Sequence, residues 1–465
     1  MSTTTLVDVS LTDGQTTVWS GAASTAMLQR TMISLGHARL AAIEVLSPAV
    51  VAQCISRDEN PLQRVAALRE RANGTPLRAT VNLRPAHGYL DMLAGEALDT
   101  WLRLLAKSGV SEVVLIDPLL DLSRMGDAVQ KTQANGLTAI AALPYIDDYE
   151  HSNAWYAACA AQLARTGAQR IMLRDEAGLL HVDRLPDLLS ALRSGADGRP
   201  LDLHTRCHTG LGPQVALEAI RLGVDRLDAA LPGVANGASV PSLPLLIRSA
   251  ALLELPLQSP DQDRLKEAQA QLAAVADQEG FADSLPWAFD LAPYEHQLPG
   301  EIAAQAMQAL RERGRLADVF EFSRECTRIR QELGHPPMLQ PFAQAIAQQA
   351  LEHLDARPRF ATLQPALRRW LQGCYGPVNT SLISLQQRIG AVANPCRPVN
   401  VPATEEALAA LVCGCPALPP LQKLHYDVRT PEQALTHGLL QRWPDYTVLS
   451  VTGPGLSIHL EHSKG

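Results

Sequence analysis

Eight short β-like runs recur along the first half of this 465-residue chain at a nearly constant interval, and that recurrence limits the fold more than any other feature. They are LVDVSL from Leu6, AAIEVL from Ala41, LRATVNLR from Leu77, EVVLID from Glu112, TAIAALPY from Thr138, RIMLRD from Arg170, LDLHTRCH from Leu201 and RLDAAL from Arg226. An interval of roughly 25 to 37 residues is what a strand, a crossover helix and two loops require. The segments between them are amphipathic, as in ALDTWLRLLAKSG from Ala97, whose closing glycine suits a helix C-terminus. Eight such units within about 230 residues predict an α/β fold, a (β/α)8 TIM barrel, over an open doubly wound sheet.

The ends of the runs carry the polar residues. Asp13, Glu44, Arg84, Asp117, Tyr145, Arg174, His208 and Ser239 all lie at or just past a strand end, the face on which such barrels keep their chemistry. The seventh run is the richest. From Leu201 to Pro213 an alternating strand leads through Arg206, Cys207 and His208 into a turn with Gly210 and Gly212. Strand alternation points Cys207 away from its neighbours, as a core thiol.

After Leu257 the alternation stops. Segments from Asp263, Glu301, Leu316, Phe342 and Leu363 are rich in Gln, Ala, Leu and Glu with helical period, which predicts a helical domain against the barrel mouth. The expected division is a barrel at 1–257, a helical domain at 258–394, and a linker with a small C-terminal extension at 395–465. In that extension one helix is expected near Pro431 to Trp443, with β-like alternation in YTVLSVTGPGLSIHLEH. Net charge is −8 without blocks of like charge, which argues against a nucleic-acid partner. No apolar run approaches the roughly 20 residues that span a bilayer, and Met1 to Ser10 lacks a secretory pattern, so a cytoplasmic chain is expected. The eight cysteines show no CxxC pair and read as scattered reduced thiols, with a metal at Cys396, Cys413 and Cys415 the weaker alternative.

Several stretches resemble the carboxyltransferase subunit or domain of the pyruvate carboxylase and oxaloacetate decarboxylase family. They are DVSLTDGQTT at Asp8, IEV at Ile43, ISRDENPLQRVAALRE at Ile55, TPLRATVNLRPAHGY at Thr75 and LRDEAGLL at Leu173. LHTRCHTGLG in the seventh run, QLPGE at Gln297, RIRQELGHPP at Arg328 and LQGCYGPVN at Leu371 continue the match, over roughly residues 1 to 390. The resemblance implies a small 2-oxo acid or other carboxylate as substrate and a homodimer. It implies biotin on a separate carrier protein, since the methionine-lysine-methionine motif of a biotin domain is absent, with a biotin carboxylase subunit as a further partner.

Family members hold a divalent metal through an aspartate, a carbamylated lysine and two histidines. Carried over by position, the aspartate is Asp13 and the second histidine is His208. The lysine position holds Arg174 and the first histidine position Arg206, while His204 matches a histidine that does not bind metal. The arginine that grips substrate is replaced by Asn82, with Arg84 two residues on as its substitute. The proton-passing threonine falls at Ala238, beside Ser239. Arginine stays protonated and has no lone pair to offer, so no metal is expected from the two remnant positions Asp13 and His208. Two guanidinium groups against Asp13 sum to about +1, which leaves a seat for an anion. Glu44 and Asp117 are expected to line that seat, and Tyr145 to orient the substrate or shuttle its proton.

Two readings follow. In one, the chain is a metal-independent carboxyltransferase or decarboxylase, with Arg174 and Arg206 standing in for the metal. In the other it is a catalytically inactive scaffold subunit of a biotin-dependent carboxylase, and the two arginines pair with Asp13, Asp175 and Glu44. A third, a lyase of the aldol-cleaving branch of the superfamily, rests on TDGQ at Thr12 with Glu44 and lacks that branch's arginine.

Overall fold

The computed structural model describes residues 3–57, 59–84, 96–148, 151–355, 358–375, 380–389, 448–453 and 456–461. Eight parallel strands close into a barrel: β1 (Thr5–Asp8), β2 (Ala42–Leu46), β3 (Leu77–Asn82), β4 (Glu112–Ile116), β5 (Thr138–Pro144), β6 (Arg170–Asp175), β7 (Leu201–Thr205) and β8 (Arg226–Ala229). Closure comes from β8 returning to β1, with Leu6 beside Leu227 and Asp8 beside Ala229. Each strand coincides with one of the eight predicted runs, β1 beginning at Thr5, just ahead of its run.

Residues of period two divide between the two faces of each strand. Val113, Leu115, Ala139, Ala141, Ile171, Leu173 and Leu203 join the core that the barrel shares with its surrounding helices. Val114, Ile116, Ile140, Ala142 and Met172 form a separate cluster inside the barrel. The same parity carries Arg78 and Thr80 on β3, Arg174 on β6, and His204 and Arg206 on and just beyond β7 to the interior. Cys207 has the opposite parity and is buried among the outer layers, where burial pushes its thiol pKa well up.

Two cores follow along the chain. The helix Gln262–Glu279 sends Leu265, Ala268, Leu272 and Ala276 into the barrel's own core. The second core begins at Leu298 and is built by the helices Gly300–Glu312, Val319–Glu332, Phe342–Asp355, Pro365–Leu371 and Thr380–Ile389. The two are stitched together at the mouth. Leu339 enters the cluster inside the barrel, Asn82 Nδ2 donates to the Gln340 carbonyl at 2.9 Å, and Gln297 Nε2 donates to the Asp147 carbonyl at 2.6 Å.

The alternating C-terminal stretch forms an antiparallel pair, β9 (Val448–Gly453) and β10 (Leu456–Glu461). The linker from residue 395 and the helix expected near Pro431 lie outside the described residues. No helix among the described residues is long and apolar enough to cross a membrane. Cys54, Cys159, Cys207 and Cys326 are free thiols, whereas Cys374 is disulfide-bonded, which corrects the expectation that all eight are reduced.

Candidate functional site at the barrel mouth

The site is assembled by three short loops and one helix end. After β1 the chain makes a π-helical turn, Ser10–Gly14, anchored by Asp8, which accepts from the Ser10 N–H at 3.1 Å and its hydroxyl at 2.7 Å. That turn sets Asp13 facing the barrel axis. After β6, Asp175 accepts from the N–H groups of Leu179 and Leu180 and from the Thr205 hydroxyl, which curls the loop so that Glu176 faces inward. Gly178 permits the fit: it has φ of +65°, and a Cβ there would lie 2.7 Å from the Arg206 carbonyl oxygen. From the second core, Gly300 lets the helix Gly300–Glu312 abut the loop at Ala238, since a Cβ at 300 would lie 2.8 Å from that of Ala238. The next residue is Glu301.

Arg206 is the hub. Its Nη2 donates to Asp13 Oδ1 at 2.6 Å, its Nη1 donates to Glu301 Oε2, and Glu176 Oε2 lies 2.9 Å from Nε, off the hydrogen-bond axis. Arg174 Nε donates to the other oxygen of Glu176, and its Nη1 is buried without a hydrogen-bond partner among the described residues. Ser239 Oγ donates to Asp13 Oδ2 at 3.3 Å. Burial works against the Arg206 charge, but Asp13, Glu301 and Glu176 outweigh it and raise its pKa. Glu176 is likewise disfavoured by burial, yet Arg174 and Arg206 hold it well below the usual carboxylate range. Glu301 goes the other way: burial and the neighbouring Glu176 and Asp13 raise it against the pull of Arg206.

The sequence-predicted residues therefore separate. Asp13, Arg174, Arg206 and Ser239 come together. Tyr145 stands beside them, lining a small cavity with Glu176, Gln297 and Leu339, and its hydroxyl donates to Asp147 at 3.3 Å. Burial and Asp147 raise the phenol's pKa, so it acts as a donor. Arg84 and Asp117 pair with each other at 2.6 Å, with Asp121 on the same guanidinium at 3.2 Å, and neither joins the Arg206 cluster. Asn82 serves Gln340 and the Arg84 N–H. Glu44 lies deeper, accepting from Thr12, Arg78 and Thr80.

Two expectations are corrected. His208 has passed the strand end and packs against Trp287 and His296, with ring centroids 5.1 and 6.1 Å away; burial and Arg206 lower its pKa to about 4. His204 has the inward parity instead, and its ring lies with Asp13 and Glu176 so that one ligand atom of each falls within 4.8 Å of the others. The second correction concerns charge. Glu176 and Glu301, both missed in the sequence reading, turn the expected surplus of +1 into three carboxylates facing two guanidiniums. Glu176 carried a usable signal, since it shares strand parity with Arg174. Glu301 carried none, because it arrives from the other core.

Two carboxylates and an imidazole are suitable donors for a divalent metal. Arg206 nevertheless already spans both carboxylates, and a dication there would lie against a guanidinium that cannot give up its charge. The residues as arranged do not fit the metal.

A scan against protein-family models returns no match. The chain is 25% identical over 373 residues to a pyruvate carboxylase subunit of Methanocaldococcus jannaschii, covering 77% of this chain and 64% of that protein. The chain is similar in sequence to pyruvate carboxylase subunits. It is also 23% identical over 339 residues to the 2-oxoglutarate carboxylase large subunit of Hydrogenobacter thermophilus, covering 72% and 51% of the two chains. Among solved structures, the carboxyl transferase domain of Rhizobium etli pyruvate carboxylase, as the Y628A variant with pyruvate, superposes with a TM-score of 0.79 at 20% identity. That match covers 95% of this chain and 79% of the other. The same domain with oxamate and biotin gives 0.77 at 19%, covering 96% and 82%. These structural matches agree with the (β/α)8 barrel seen here, and the chain spans about three-fifths of the pyruvate carboxylase subunits it matches.

Proposed function

We propose that the chain is the carboxyltransferase component of a biotin-dependent system, acting on a small 2-oxo or dicarboxylic acid, with Arg174 and Arg206 in place of a divalent metal. The carrying observation is the pair of buried guanidiniums at the barrel mouth, one with an unpartnered Nη1. Guanidinium forks hold a carboxylate with two parallel hydrogen bonds, and in a site screened from water they stabilise the enolate oxygen that forms as CO2 leaves or joins the neighbouring carbon. Tyr145, kept protonated, donates to a substrate oxygen. Ser239, oriented by Asp13, stands where a proton can be relayed. The names of the relatives support 2-oxo acids as the substrate class. Biotin, when supplied on its carrier, brings or removes the carboxyl group.

The test is CO2 release from a panel of carboxylated 2-oxo acids, oxaloacetate first, by the purified chain with free biotin and a chelator present. Turnover that survives chelation and is lost in Arg206→Ala is the expected result. A requirement for added divalent metal, or no turnover across the panel, would remove the proposal. The scaffold reading draws on a different observation, the engagement of Arg206 by three carboxylates at once. It predicts a chain that co-purifies with a biotin carboxylase or carrier subunit and turns nothing over.

A further inference from the structure

We infer that Glu301 is an internal stand-in for the substrate carboxylate, and that an acidic substrate binds by exchanging its own carboxylate for that of Glu301 on Arg206. The inference deepens the proposed function and rests on it. Electrostatics favours the exchange. Arg174 and Arg206 supply two positive charges, while Asp13, Glu176 and Glu301 supply three negative ones, a formal surplus of −1 in a largely water-free space. Adding an anion to such a site without removing one would leave −2 where charge is poorly screened. Departure of one carboxylate relieves that surplus.

The structure distinguishes which. Asp13 and Glu176 belong to barrel loops, and each has a second partner: Ser239 for Asp13, and Arg174 for Glu176. Glu301 has only Arg206 as a side-chain partner among the described residues. Its side chain is also the most exposed of the three, at 19% against 6% for Asp13 and 11% for Glu176. Water can therefore receive it when it turns away. It sits in the first turn of the helix Gly300–Glu312, where the helix dipole favours a carboxylate whether or not it is paired. Burial and its two acidic neighbours already disfavour its charge in the seat. A departing Glu301 leaves Nη1 of Arg206 with two neutral acceptors at 3.3 Å, the Thr17 hydroxyl and the Ala238 carbonyl, which an incoming carboxylate can outcompete. Arg174 Nη1, buried without a hydrogen-bond partner among the described residues, is a second donor in the same cluster.

Oxamate, a stable 2-oxo acid analogue, is the probe. Calorimetric titration into wild-type protein, Glu301→Gln and Glu301→Ala should show binding about tenfold tighter or more in both variants, because the competitor's charge is gone. The gain should vanish when Arg206→Ala is added to Glu301→Ala. Affinity equal to or weaker than wild type in both folded variants overturns the inference and leaves the proposed function standing. No binding of oxamate to any form overturns both. Loss of the folded circular dichroism spectrum in both variants would make Glu301 a structural brace and overturn the inference as well.

Discussion

Two arginines inside this barrel are surrounded by carboxylates, and they are not equivalent. Arg78, halfway down, is fully enclosed: Nη1 and Nη2 take the two oxygens of Asp228 at 2.8 and 2.6 Å, and Nε takes Glu44 at 2.9 Å. Asp228 in turn accepts from His204 Nδ1 at 2.9 Å; burial would raise it, but Arg78 and His204 hold it well below the ordinary carboxylate range. Every carboxylate bound to Arg78 lies on a barrel strand, and each of its three nitrogens donates to one of their oxygens. Arg206, at the mouth, draws on two loops and a helix of the other core, and one of its nitrogens is misaligned with its nearest acid. A fork with every nitrogen held by carboxylates on rigid strands braces a barrel. An oversubscribed fork fed by separate elements can change partners, and that is a property a binding site needs.

The comparison can be broken first by stability. Arg78→Met should cost about 3–5 kcal/mol in urea unfolding, because it leaves Asp228 and Glu44 buried without their counter-charge. Arg206→Met should cost no more than about 2 kcal/mol, since Glu301 can turn to solvent and relieve the crowding of acids. Equal losses would mean that the mouth cluster is as structural as the deep one. Next comes the seam between the cores. Leu339→Ala removes the side chain that the helical region inserts among Val114, Ile116, Ile140, Ala142 and Met172, and should cost about 2 kcal/mol by the same measurement. A null result would show that the barrel interior closes without its neighbour.

The smallest effect concerns pH. With His208 lowered to about 4 from an ordinary value near 6.5, the folded protein declines a proton that the unfolded chain accepts. The contribution of His208 to stability therefore falls as pH drops from about 6.5 to about 4, then levels off. Burial is the larger cause and Arg206 the lesser. In Arg206→Met the histidine should thus titrate higher by less than about one unit in NMR, and in Arg78→Met it should not move. An unchanged value in Arg206→Met would assign the shift to burial alone.

How much of this could be read from the residues varies with the range of the interaction. All eight strands were legible because their signal is local: apolar runs at crossover spacing, each followed by its own amphipathic helix. Arg174, Arg206, Asp13 and Ser239 were placed together because a closed parallel barrel brings all strand ends to one face. His204, expected to pack or hydrogen-bond, does so with Asp228, while β7 parity sends it and Arg206 inward and carries His208 beyond the strand end. Arg84 and Asp117 pair with each other at the rim, because a residue just past a strand can turn to its neighbour there as readily as to the axis. Glu301 lies 95 residues beyond Arg206 on another element, and no local pattern forecasts that pairing. Tertiary packing alone reveals it.

The entry of Leu339 into the barrel has a consequence for how such a chain can vary. The topmost layer inside the eight strands is finished by a residue encoded far downstream, next to the backbone carbonyl that Asn82 grips. A gene fusion or recombination event that cut between the two cores would hand on a barrel with an unfilled top, and a helical partner with an orphaned apolar prong. The halves are bound to a shared inheritance, and substitutions on one side of the seam are judged by the fit of the other.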